Sequence, residues 1–179
     1  MRRRVLRVKE TKLQERLYPL VRRRVFHVTR QQYLASILED GGIRSNESGI
    51  LPSTFGSSDN SFFRNRGCVS LFDLRHATTE QVRTHLPDCW PFQPAEPGSD
   101  IAIFVVSPAA YDRLIPWDRA KEEGALSEMI LPYLESGFPK FLPLELISEI
   151  IEVAVLEVPG SVRAQFRNAR TGSEPGRAV

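Results

Sequence analysis

The 179-residue chain holds only two cysteines, two methionines, two tryptophans and three histidines, and these scarcities exclude several classes of chemistry. His27, His76 and His85 lie far apart, no Cys-x-x-Cys or His-x-x-x-His pair occurs, and Cys68 and Cys89 lack partners at zinc spacing, so no metal centre is expected. Two cysteines make no disulfide framework. With no secretory n-region, h-region and cleavage site, they predict free thiols in a reducing, cytoplasmic setting. The longest strongly apolar run, residues 101–106, is far too short for a transmembrane helix. Gly-rich phosphate loops of the Rossmann and Walker types are both missing, and no internal repeat is visible, so a bound nucleotide must be held in some other way.

What is present is an ordinary globular composition, 41% hydrophobic and 26% charged, at a length that suits one domain. The net charge of +2 conceals a strong asymmetry. Residues 1–24 carry ten Lys/Arg against Glu10 and Glu15; residues 25–160 carry ten against nineteen acids; residues 161–179 carry four Arg against Glu174. A basic arm, an acidic body and a basic, largely disordered tail are therefore expected. Such an arm can track phosphates of a nucleic acid. It can equally find its partner in the acidic body of the same molecule.

Leu6, Leu13, Leu17, Leu20 and Val21 recur near helical spacing and predict an amphipathic helix over residues 9–21. Residues 25–28 read as a strand, with Thr29 as N-cap of a helix over 30–39 that Gly41 and Gly42 end. Residues 45–66, rich in Ser, Asn and Gly, form a long loop of the kind that covers a binding site, with Phe55, Phe62 and Phe63 as its anchors. Residues 68–72 are a second strand. Thr78 or Thr79 caps a short helix to His85, and Pro87, Pro91, Pro94 and Pro97 make an irregular connection. The continuous apolar run 101–106 is a strand buried on both faces. Ser107 and Pro108 open a helical turn to Arg113. Further apolar segments cover 129–138, 147–151 and 154–158, of which the first and last read as strands. Many short strands with few helices predict an α+β fold built on mostly antiparallel strands, with a basic helix in front of it.

In residues 25–30, VFHVTR, His27 and Thr29 share one strand face and can meet a pocket together. Taken alone, a strand histidine is more often a satisfied packing residue than a ligand-binding one. Residues 25–44, VFHVTRQQYLASILEDGGIR, however, resemble the opening motif of the ADP-ribosyltransferase fold in its poly(ADP-ribose) polymerase branch: a strand with His-x-Ser/Thr, a helix, then a Gly turn. Residues 135–147, ESGFPKFLPLELI, are similar to that family's closing motif, in which a glutamate begins a strand and a Pro-Leu-x-x-Ile turn leads into the last one, the spacing found in DNA-targeting toxins of the family. Between them, residues 66–73, RGCVSLFD, stand where the family has a strand with a nicotinamide-stacking tyrosine; here Val69 or Ser70 takes its place.

The resemblance implies NAD as substrate, no metal, and ADP-ribose transfer to a protein, DNA or RNA acceptor, or to water. It makes Glu135 the catalytic carboxylate, with Glu128 as the alternative. His27 would hold the adenosine ribose, Thr29 would support the nicotinamide ribose, the main chain at Val28 would hold the carboxamide, and Ser70 would line the nicotinamide side. Arg64 and Arg66, at the end of the long loop, are candidates for the pyrophosphate; otherwise they are solvated and Phe62 and Phe63 simply fill the core. The missing tyrosine leaves a second class open, a non-catalytic nucleotide- or partner-binding domain of the same fold. A third is a nucleic-acid-binding protein acting through residues 1–24.

Overall fold

The computed structural model describes residues 1–51, 59–86 and 100–156. The expectations for Phe55, Cys89, the proline-rich connection and the C-terminal tail lie outside them. Eight strands are described: β1 (Arg2–Lys9), β2 (Val25–Arg30), β3 (Gly42–Arg44), β4 (Cys68–Asp73), β5 (Ile101–Val106), β6 (Glu135–Pro139), β7 (Phe141–Pro143) and β8 (Ile147–Leu156). Six of them form a sheet in the order β1-β8-β5-β2-β4-β6, and β3 pairs with β7 in a small second sheet. Only β1 and β8 run parallel; every other pairing is antiparallel. The helices α1 (Leu13–Val21), α2 (Leu34–Glu39), α3 (Phe62–Asn65), α4 (Thr79–His85) and α5 (Trp117–Glu122) are short. The architecture is α+β.

β5 shows why its sequence is apolar without alternation. Ile101, Ile103 and Val105 pack into one cluster with Leu13, Leu17 and Val21 of α1, whereas Ala102, Phe104 and Val106 pack into another with Leu34 of α2, Ile43 of β3 and Leu142 of β7. A strand covered on both faces needs apolar residues at every position. Thr78 caps α4 by a capping box with Gln81, satisfying two otherwise orphaned helix-end groups.

Three expectations need correction. Residues 2–9 are not part of a helical arm but an edge strand, and α1 begins only at Leu13 after a 3-10 turn. Val8 is buried in the core cluster and Leu6 packs against it, while Arg2, Arg3 and Arg4 find carboxylates on β8. Arg4 and Arg24 approach the buried Glu149 at 3.1 and 2.7 Å, Arg2 lies at 3.8 Å from it, and Arg3 bonds Glu152 at 2.6 Å. The acidic body thus engages the basic segment within the molecule. Secondly, Thr29 caps nothing: the chain continues through a 3-10 turn, residues 31–33, into α2, and the Thr29 hydroxyl stays on β2. Thirdly, β6 starts at Glu135 rather than at residue 129, and the two segments after it fuse into the single ten-residue β8.

The ion cluster at Glu149 carries a testable consequence. Arg24→Ala is expected to destabilise the fold by about 1–3 kcal/mol, the range for hydrogen bonds to buried charged groups. Lys12→Ala, which breaks a pair with Glu15 exposed on both sides, should cost far less. Urea unfolding of both variants would decide; equal losses would reduce Glu149 to an ordinary surface pair.

Candidate functional site

The site arises where two strands part. β2 and β4 each have six residues, yet they pair only at Val25–Asp73 and Phe26–Phe72. The Phe26 and Phe72 rings stack at 5.1 Å and 9° at the point of divergence. Beyond it β2 continues to pair with β5, and β4 with β6, so each wall of the opening belongs to a firmly paired ladder. The wedge between them is a cavity of about 280 Å³.

One wall of the cavity is His27, Val28 and Thr29; the opposite wall is Cys68, Val69 and Ser70. Tyr33, Ile37 and Asp40 close one end from α2 and its approach, with Ile43 and Arg44 from β3, and Asn46, Leu51 and Arg64 form the rim. The register sets His27 opposite Phe104 and Thr29 opposite Ala102, which puts both on one face of β2. The edge of β2 that faces β4 has no ladder pairing past Phe26, so main-chain polar groups around Val28 border the opening.

His27 bridges the gap, its Nδ1 lying 3.0 Å from the Ser70 carbonyl oxygen. A carbonyl only accepts, so Nδ1 carries the proton and Nε2 is left as the acceptor. Burial pushes the imidazole below its usual pKa, more than the Ser70 carbonyl raises it, and the ring is neutral at pH 7. Thr29 is 7% exposed, and its hydroxyl makes no hydrogen bond to a described residue.

Glu135 opens β6 opposite Phe72, on the strand face it shares with Ser70. Its Oε2 accepts from the Leu131 N–H at 2.8 Å, and the Ser70 side chain stands near enough to the same carboxyl to favour its ionised form. Burial outweighs both influences and pushes the carboxyl up to about 7. Glu135 does not itself line the 280 Å³ cavity; Ser70 does, and touches it. The three separated blocks of sequence therefore meet in one chain of contacts, from His27 through Ser70 to Glu135. Glu128 lies elsewhere: Arg66 at 2.9 Å and Asn65 at 3.2 Å hold it, and the Arg66 hydrogen bond keeps its carboxyl below the usual range.

The two arginines expected at the pyrophosphate fare differently. Arg64 lines the rim, but its Nε donates to the Asn46 carbonyl at 2.9 Å and its Nη1 to Asp59 at 2.7 Å, so it braces the loop. Arg66 is outside the cavity, lying over the Phe62 ring at 3.5 Å and paired with Glu128 and Glu123. This corrects its expected role: two carboxylates and an aromatic face hold the guanidinium on the outer side. Phe62 and Phe63 are fully buried, and a Cβ at Gly137 of β6 would collide with the Phe63 ring. Sequence reasoning missed Asp40, Arg44 and Asn46, although Arg44 is the last residue of the first motif, two residues after its Gly-Gly turn. Cys68 is free and lines the cavity, but burial pushes its thiol up, away from thiolate chemistry. Among the described residues no three His, Cys, Asp or Glu gather as a metal site, and no helix is long and apolar enough to cross a membrane.

The Glu135 environment has a measurable signature. Between about pH 4.5, its ordinary value, and about pH 7 the folded state binds more protons than the unfolded one, so stability should fall as pH rises through that window and level off above it. The whole effect is at most about 3–4 kcal/mol, at about 1.4 kcal/mol per pH unit. Glu135→Gln should flatten this slope, with little difference from the parent near pH 4 and greater stability than the parent at pH 8. Urea midpoints measured from pH 4 to pH 8 would test it, and an unchanged slope would mean that the carboxyl is not held up. Compared with models of protein families, with curated proteins and with solved structures, the chain finds no match.

Proposed function

We propose that the protein cleaves the nicotinamide–ribose bond of NAD and transfers ADP-ribose to a macromolecule or to water. The supporting observation is the chain of contacts from His27 through Ser70 to Glu135, which joins segments more than 40 residues apart in sequence at the edge of one cavity. Bond cleavage passes through an oxocarbenium-like state, and a carboxylate beneath the sugar is what that state requires. Glu135 supplies the carboxylate. The neutral His27, with Nε2 as acceptor, suits a ribose hydroxyl, and the open Thr29 hydroxyl and the unpaired edge of β2 at Val28 suit a ribose and a carboxamide. No metal takes part in this reading. A free thiol at Cys68 accords with a cytoplasmic site of action.

A second reading has its own observation. Neither Val69 nor Ser70 offers an aromatic face to a nicotinamide ring, which fits a domain that binds a nucleotide or partner without turnover. Nucleic-acid binding through residues 1–24 is disfavoured by the pairing of Arg2, Arg3, Arg4 and Arg24 with Glu149 and Glu152.

Nicotinamide release from NAD by the purified protein separates the first two. Glu135→Gln should lower release by about 100-fold or more, the usual scale for losing one group aimed at developing charge. In the parent, release should climb as pH rises through about 7, because only the ionised carboxylate serves. NAD binding without release, with protein, DNA and RNA offered as acceptors, would establish the non-catalytic domain instead.

A further inference from the structure

A dinucleotide brings two negative charges at its diphosphate, and the described wall of the cavity has two cations to meet them, Arg44 and Arg64. Arg64 is spent on the loop. Its side chain is only 16% exposed, and its guanidinium is held by the Asn46 carbonyl and Asp59 and abuts Gly49. Turning it toward a ligand would dismantle the rim.

Arg44 is in the opposite condition. Its side chain is 62% exposed, and the one hydrogen bond it makes is from Nε to Asp40 Oδ2 at 3.2 Å, a pair whose other member is itself 48% exposed. Its two Nη atoms donate to no described residue. The stem is nevertheless well placed: β3 pairs Arg44 with Phe141 of β7, the guanidinium lies 5.6 Å from the centroid of that ring, and the next N–H, of Ser45, donates to Lys140 at 2.8 Å. Guanidinium forks bind phosphate oxygens through two parallel bonds, which a single contact to an exposed carboxylate cannot match.

We propose that Arg44 is the diphosphate-binding residue of this site and that Asp40 is a placeholder, released from Arg44 when phosphate oxygens take its position. The proposal rests on the nucleotide reading above and assigns the phosphate end of the substrate to the β3 side of the cavity. Asp40 then also sets a threshold, since any ligand lacking an anionic group at this point leaves the Asp40–Arg44 pair intact and gains nothing from it.

Calorimetric binding of ADP and of adenosine tests this independently of turnover. Arg44→Ala should weaken ADP at least about tenfold, leave adenosine unchanged and reduce the salt dependence of ADP binding. Arg44→Lys should fall between, keeping the charge and losing the fork. Asp40→Asn should tighten ADP by about threefold, because the competing carboxylate is gone. ADP binding that is equal in the parent and in Arg44→Ala would overturn the role of Arg44 and leave the nucleotide reading standing. Loss of adenosine together with ADP would make Arg44 a structural residue and overturn it as well. Failure of the parent to bind ADP and NAD at all would bring down the nucleotide reading, and this proposal with it.

Discussion

Two residue pairs hold β2 to β4, and the whole site depends on that pairing stopping after Phe26 and Phe72. Had the ladder run on, the main chains would have stayed about 4.8 Å apart and no cavity could exist between them. It stops at a stacked aromatic pair that props the strands at their junction, while β5 and β6 keep the outer edges of β2 and β4 fully paired. Both walls are thereby stiff. An opening inside a sheet ordinarily leaves strand edges with unmet hydrogen bonds, and here the His27 ring crosses the gap to the Ser70 carbonyl in place of a ladder bond.

The same opening explains the state of the ionisable groups beside it. His27 and Glu135 both favour their uncharged forms, one pushed down and the other up, because both are buried away from water beside it. A carboxyl pushed up to about 7 keeps the Leu131 N–H as donor yet remains costly to ionise. Folding gains nothing from such a group at neutral pH. Carboxyls of this kind beside a cavity are more often found where chemistry needs them than where packing does.

Several features were legible from residue pattern alone. The all-apolar β5, a helix capped at Thr78 or Thr79 and the α+β class follow from local rules, because neighbours a few residues away decide them. The strand at β1 was not legible. Its Arg-rich sequence alternates too weakly to suggest a strand, and what draws it into the sheet is Glu149, some 145 residues away in sequence. The position of Thr29 failed for a related reason. A threonine before a helical stretch ordinarily caps it, but here a 3-10 turn intervenes and the hydroxyl remains on the cavity side.

The arginines show where reading by sequence stops. Arg44, Arg64 and Arg66 sit in the same stretch of chain, and nothing in their spacing separates them. What separates them is the placement of acids and rings contributed from elsewhere: Asp59 with the Asn46 carbonyl takes Arg64, while Glu123, Glu128 and Phe62 take Arg66. Arg44 meets just one solvent-exposed carboxylate and, at 5.6 Å from its centroid, the ring of its strand partner Phe141, so most of its donors stay uncommitted. In an acidic body the positions of the carboxylates, more than those of the cations, therefore decide which positive charge faces the cavity. An exposed pair is worth about 0–1 kcal/mol and is readily exchanged, whereas a guanidinium held by several partners is not. Which arginine serves a ligand is thus a property of the folded surface and cannot be read from the segment that carries it.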